Sequence, residues 1–439
     1  MTGVVSAVGS ASATSAPDGY LAGRGAAWFA LLMTIILMLF DYADRQVIVS
    51  LFPFLKGAWD LSDKQLGLLV SAVSVTVALA GVPVALLADR TSRVRSIAVM
   101  AAIWSFATAS CLFARSFPQL LIARLFVGLG QAGYGSAGAA LIASHFPARL
   151  RGTFLAGFFA SASVGSVLGI LLGGAIAARW GWQSAFGVVG IPGLLLAPLY
   201  LFVKDYPTER VATEVSLASP ITRTVVASIR SLLASRTLRW VCLGAAAQLI
   251  VVSSVWAWLP SYLNRFAGIP PARAAIWAGL ILLIGAAGSL VWGAVIDRLG
   301  AAARPKRKLL ALAALCVTTA ILLAVAFGTG GSGFNDAPAI HFALIVDGGF
   351  VMTCTVGVVA AVAIDVIDPS VRVTGASVLS VFQNLFGLAA GPLIAGTLSD
   401  RWGLAWALTT IPVFSVLAAG AFLLASQNYE TEIREESSP

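Results

Sequence analysis

Residues 165–181 read GSVLGILLGGAIAARWG, and residues 386–403 read FGLAAGPLIAGTLSDRWG. With one laid over the other, Gly152, Gly165, Gly169, Gly174 and Arg179 align with Gly375, Gly387, Gly391, Gly396 and Arg401 at an offset of 222 or 223 residues. Both are apolar runs punctuated by small residues at helical spacing, which lets membrane helices approach closely. A second phrase widens the pattern. ALLADR (85–90), GAVIDR (293–298) and GTLSDR (396–401) each end an apolar run with a small residue, three spacers and Asp-Arg. A three-helix unit used four times accounts for both recurrences.

The composition around these phrases is that of a membrane protein. Of 439 residues 59% are hydrophobic and 11% charged, with a mean hydropathy of +0.92. Soluble domains carry about 25% charge. Twelve apolar runs are counted, at 26–52, 65–88, 94–113, 118–145, 151–178, 183–203, 240–263, 274–296, 309–327, 339–364, 373–398 and 403–425. A helix of roughly 20 residues crosses a hydrocarbon core of about 30 Å. The expected fold class is therefore all-α integral membrane, with twelve transmembrane helices in two six-helix bundles built from three-helix repeats. The expected division is a cytoplasmic tail over 1–25, bundles over 26–203 and 240–425, a linker over 204–239 and a second cytoplasmic tail over 426–439. The small-residue N-terminal stretch has no separate apolar core and reads as a tail, not a cleaved signal.

Charge placement sets the orientation. Of 28 Lys and Arg, 19 fall in segments on the side of the N-terminus, 7 on the opposite side, and Arg45 and Arg124 lie inside runs. Both termini are therefore expected in the cytoplasm, in a bacterial inner membrane. The basic pI near 9.8 reflects this topology and not nucleic-acid binding. Within the linker, Val225, Val226, Ile229, Leu232 and Leu233 share one helical face, with arginines opposite, as in a helix lying on the inner membrane surface. The four cysteines and two histidines are scattered without ligand spacing, so neither a metal nor a cofactor is expected.

The chemistry-bearing residues sit where apolar residues belong. FDYADRQVIVS (40–50) interrupts the first run with Asp41, Asp44 and Arg45. An ionisable side chain near the bilayer centre costs at least about 2.5–3.5 kcal/mol and implies a partner or a cavity. At 1.5 Å per residue, Asp41 and Arg45 fall about 3 and 9 Å outward of the first run's centre, and Arg124 about 11 Å outward in the fourth. Asp347 falls in the same zone of the tenth. Asp41 and Arg45 are i, i+4 neighbours and can pair; Asp44 points roughly 100° away from Arg45. A packing salt bridge is the plain reading. The functional one has Arg45 and Arg124 holding an anionic head group, because a guanidinium bonds two oxygens at once. Asp41, Asp44 or Asp347 would then handle a proton: a substrate that occupies the arginine frees its carboxylate to accept one. Gln131, Tyr134, Trp256, Gln383 and Asn384 are expected to complete the cavity, although the aromatics also suit plain packing.

Duplicated membrane halves around a midplane site are the architecture of secondary transporters. LADRTSRVR (87–95), with Asp89, Arg90, Arg93 and Arg95, resembles the signature of the major facilitator superfamily, although Ala85 and Ser92 replace two of its glycines. Arg124, Gly128 and Gly130 resemble a second pattern of that family, and the resemblance covers 26–425. It implies alternating access and a latch of Asp89, Arg90, Arg93, Asp297 and Arg298 between the bundles. Within the family, residues 41–69 and 124–152 are similar to the Spinster-like lipid transporters and to the anion:cation symporters. Both groups place a glutamate, a proton-coupling candidate, where this chain has Gln131. The fifth run resembles the family's antiporter motif but has Ile170 where proline is usual; Pro392 in the eleventh run keeps it.

These readings combine into a monomeric transporter of a lipid-like or small-molecule anion, coupled to protons. The leading substrate is a lysolipid- or sphingolipid-like amphiphile and the runner-up a small organic or sugar acid. A non-transporting receptor leaves the duplicated bundles without a purpose. An enzyme would need a nucleophile motif or phosphate loop that the sequence does not contain.

Overall fold

The computed structural model describes residues 20, 23–205, 235–300, 306–329, 337–366 and 379–437. The surface helix expected near 220–233 lies outside them. The first half comprises α1 (Arg24–Trp59), α2 (Asp63–Arg90), α3 (Arg93–Ser110), α4 (Phe117–Gln131), α5 (Tyr134–His145), α6 (Ala148–Trp180) and α7 (Trp182–Tyr200). The second comprises α8 (Arg236–Phe266), α9 (Pro271–Leu299), α10 (Lys306–Gly328), α11 (Pro338–Met352), α12 (Val358–Val366), α13 (Ala390–Trp402), α14 (Leu404–Thr410) and α15 (Val413–Ser437). Eleven of the described spans are long and apolar enough to cross a membrane, and the shorter apolar α11 begins the twelfth. The protein is an all-helical twelve-span fold of two bundles.

Four spans expected to be continuous are broken, the twelfth by a turn at Ile411 and Pro412 that separates α14 from α15. The fourth breaks at Gly133, whose φ of 86° suits glycine alone, so α4 and α5 are separate helices. The tenth breaks between α11 and α12, with Gly357 at φ 86°. The eleventh carries a π-helical turn over Gln383–Leu388 before α13. Apolar periodicity is blind to such breaks, because the residues on both sides remain apolar.

The glycine rows explain the repeat physically. A Cβ on Gly165 or Gly169 would collide with the backbone of Leu39 or Ala43 on α1. Their counterparts Gly387 and Gly391 stand in the same way against Ala246, Leu249 and Ile250 on α8. Gly174 meets Ala275 at the start of α9, and Gly396 meets Asp63 at the start of α2. Each row thus packs one helix of its own half and then crosses to the other half. Cys316 and Cys354, distant in sequence, come into hydrogen-bonding contact; all four thiols are free.

Call the end where α1 finishes distal and the end bearing the N-terminus proximal. The distal core is a single apolar cluster drawn from both bundles, including Val47, Phe52 and Leu66 of one and Val255, Trp258 and Leu282 of the other. Proximally there are two clusters, one per bundle: Leu37, Trp104 and Phe158 in the first, Val241, Leu312 and Phe422 in the second. Among the described residues, one apolar core joins the bundles distally, and each bundle has its own core proximally.

Candidate functional site

Two charge clusters organise the interior. In the first, α1 supplies Asp41, Asp44 and Arg45, and α4 supplies Arg124 and Gln131. Arg124 and Asp44 are buried to within 1% of full enclosure, with Nη1 3.4 Å from Oδ1 and also donating to the Asp44 carbonyl at 3.3 Å. The Gln131 amide donates to Asp44 Oδ2 at 3.1 Å and to the Asp41 carbonyl at 3.2 Å. Asp44 therefore points away from Arg45, as its position on the helix implies, and both of its oxygens are held. A glutamate at 131 would set carboxylate against carboxylate and need a shared proton; the glutamine donates an N–H without one.

Asp41 and Arg45 are held differently. Their one described contact is Nε to Oδ1 at 3.5 Å, long for a charge-assisted bond. Asp41 is enclosed, whereas the Arg45 side chain remains 20% exposed, its guanidinium 5.1 Å from the centre of the Tyr42 ring. The other N–H donors of Arg45 have no described acceptor.

The remaining expected site residues divide. Arg124, placed in the sequence reading as a ligand-facing cation, is instead engaged by Asp44 inside the bundle. Tyr134 is wholly buried, its hydroxyl donating to the Thr34 carbonyl at 2.6 Å and its ring edge-on to Trp104 at 5.2 Å. The Gly133 break turns it into the core. Trp256 is half-buried, packed against Gly285 and Gly349. Gln383 and Asn384 are half-buried at the start of the π-helical turn, and Asn384 donates to the Ser380 carbonyl at 2.9 Å. Asp347 does not join Asp41 and Arg124; it is exposed on a different face, between α9 and α11.

The proximal latch is only partly visible. The side chains of Asp89 and Arg90 lie outside the described residues, Arg93 is half-buried, and Asp297 and Arg298 are exposed at the end of α9.

A second cluster, missed from sequence, closes the distal end. Asp63, 3% exposed at the start of α2, receives Arg265 of the other bundle at 2.6 and 2.8 Å and Lys56 at 2.6 Å, and the Ser399 hydroxyl donates to it. Asp400 accepts the backbone N–H groups of Asp63 and Lys64 at 2.7 and 2.9 Å. A carboxylate from one bundle thus faces the positive end of a helix in the other. A latch between the bundles was expected of Asp89 at the proximal end; here the third copy of the same Asp-Arg phrase makes one distally. The signal was present in GTLSDR, together with the capping box Ser62–Gln65 that marks the start of α2. What sequence could not show was that the two ends meet.

Known proteins share this sequence pattern and this fold. The family model described as Major Facilitator Superfamily matches residues 34–392. A gallate transporter of Pseudomonas putida is 28% identical, over 90% of this chain and 91% of its own. Protein spinster homolog 1 of Xenopus laevis is 26% identical, over 84% of this chain and 73% of its own. A crystal structure of a bacterial homolog to human lysosomal transporter Spinster, in an inward-facing and unoccupied conformation, superposes with a TM-score of 0.81 at 22% identity, over 93% of this chain and 99% of that one. The gallate transporter and the solved Spinster homolog both carry transport names. Two bundles, glycine-packed repeats and a match over most of the length agree: the chain belongs to the Major Facilitator Superfamily.

Proposed function

We propose that this transporter moves organic anions by alternating access, with Arg45 receiving the anionic group and Asp41 taking up a proton. The observation that carries the reading is the asymmetry between the two ion pairs. Asp44 and Arg124 hold each other under full burial, while Arg45 is partly open and bound through one long contact. A substrate carboxylate or phosphate offering two oxygens forms shorter bonds to that guanidinium than Asp41 does. Asp41, left enclosed without its counter-charge, is then the group for which protonation relieves the burial cost. Asp44 has no such freedom. This suits Gln131: with no glutamate there, proton handling falls to Asp41.

An amphiphilic anion remains the leading substrate class. An apolar recess of about 310 Å³ lies along the seam where Leu68, Leu121 and Leu125 face Leu385 and Leu393 of the eleventh span. It offers an apolar body somewhere to lie beside the bundle interface. The gallate transporter, matched over 91% of its length, favours a small organic acid as the second reading. On the positive-inside count, the proximal end is cytoplasmic and the arrangement inward-facing.

Counterflow in proteoliposomes separates the two readings. Exchange of a labelled lysophospholipid and not of an aromatic acid supports the amphiphile; the reverse supports the acid. In either case Arg45→Ala is expected to lower exchange by about 100-fold, the effect of losing about 2.7 kcal/mol of charge-assisted binding. Undiminished exchange in that variant sinks the assignment of the anion to Arg45. Asp41→Asn is expected to preserve exchange but abolish accumulation driven by a pH gradient. Gradient-driven accumulation that survives this substitution would remove Asp41 from the coupling.

A further inference from the structure

Asp347 lies outside the anion site, and its position in the repeat makes it conspicuous. Gly128 of α4 packs on Val73 of α2, and Gly349 of α11 packs on Ile281 of α9. Val73 and Ile281 each stand 16 residues before the Asp of their own Asp-Arg phrase, so the α2–α4 pair recurs as α9–α11. In each copy the residue two before the packing glycine occupies one register position. In the first it is Phe126, 53% exposed on the flank of the bundle; in the second it is Asp347, also exposed. An aspartate stands where its one compared counterpart is an exposed aromatic.

That aspartate borders a cavity of about 550 Å³ between α9 and α11. The volume suits a small amphiphile. Asp347 is the one charged residue among the described lining residues; the rest, including Leu280, Ile284 and Val346, are apolar. Two rings stand at the wall, Trp277 and Phe342, with centroids 5.5 Å apart. Trp277 and Leu280 are 47% and 42% exposed, so the cavity opens sideways, toward the acyl chains. A carboxylate beside aromatic faces in an apolar chamber is complementary to an organic ammonium ion.

We infer that this chamber is a lateral binding site for a lipophilic ammonium cation, separate from the anion site at Arg45. The charge pairs with Asp347, the ammonium methylenes lie against Trp277 and Phe342, and the alkyl body fills the groove between α9 and α11. Depth selects a simple amine over a phospholipid. Asp347 lies nine residues into α11, about 14 Å from its distal end. A zwitterionic headgroup would have to carry its phosphate to that depth, whereas an alkylammonium brings one charge that the aspartate offsets.

The test is saturation binding of radiolabelled dodecylamine to the full chain in phosphatidylcholine nanodiscs. The expected result is saturable binding, displaced by dodecyltrimethylammonium but not by dodecanol. Asp347→Asn should weaken it by about tenfold or more, and Asp347→Glu by much less, which separates charge from folding. Arg45→Ala should leave it intact, so failure here is distinguishable from failure of the anion site. Equal binding in Asp347→Asn, or displacement by dodecanol, would show an apolar groove without ammonium recognition and overturn the proposal. So would loss of dodecylamine binding in phosphatidylethanolamine nanodiscs, which would assign the site to a headgroup.

Discussion

Arg124→Ala should be among the most destabilising single substitutions in the described interior. It leaves Asp44 1% exposed and short of its cation, with the neutral donors Gln131 and Thr108 but no counter-charge beside its side chain. Removing one partner of a buried pair costs about 3–5 kcal/mol, because the survivor cannot return to water. Thermal inactivation of the detergent-solubilised protein should therefore fall by many degrees. Adding Asp44→Asn should recover more than half of the loss, since a neutral amide in that space needs no counter-charge. A single variant that melts with the wild type would show that water reaches Asp44 and that the pair is not enclosed.

The second large effect is conformational. Asp63→Ala removes the acceptor shared by Lys56, Arg265 and Ser399 and leaves two cations facing each other across the distal seam. The helix-end contact from Asp400 remains, but it uses backbone groups alone. The distal seal should loosen and the population shift toward a distally open state. Ser71, whose hydroxyl donates to the Ala389 carbonyl across the seam at 2.5 Å, sits below the seal and reports on it. A single cysteine placed there in a cysteine-free background should react with an impermeant thiol reagent from the distal side at least about tenfold faster in Asp63→Ala. That factor corresponds to about 1.4 kcal/mol in the opening equilibrium. Unchanged reactivity would mean that the apolar distal core holds the bundles together by itself.

These two clusters clarify how the transporter is poised. Distally, burial of Phe52 against Trp258, at 5.0 Å between ring centres, adds to the Asp63 pairs. Proximally each bundle keeps its own core. The interior charges lie between, and Arg45 is the partly exposed member of its pair. If the proposed anion binds at Arg45, it changes transport only through differential affinity for the two states. The glycines at 165 and 169 let α6 pack directly on the α1 backbone at Leu39 and Ala43, next to Asp41 and Asp44.

Reading the chain without its structure went far because membrane folding is strongly constrained. Apolar runs must be helices, since backbone groups in hydrocarbon have to be satisfied within the segment. Repeated glycines must be close contacts, since only a missing side chain permits them. Hence the twelve spans, the two halves, the three-helix unit and the pairing of Asp41 with Arg45 were all determined by the sequence. What only the tertiary structure decided was which charges meet. Arg124 looked like a ligand-binding cation until α1 brought Asp44 beside it. Tyr134 looked like a cavity residue until Gly133 turned it inward. Asp347 shared the depth of Asp41 but not its face. Asp63, Arg265 and Asp400, spread over more than 330 residues, formed a seal that no local spacing announces. Depth and helical face follow from a one-dimensional period; the partner across a helix boundary depends on how whole helices pack, and that is fixed by contacts remote in the chain.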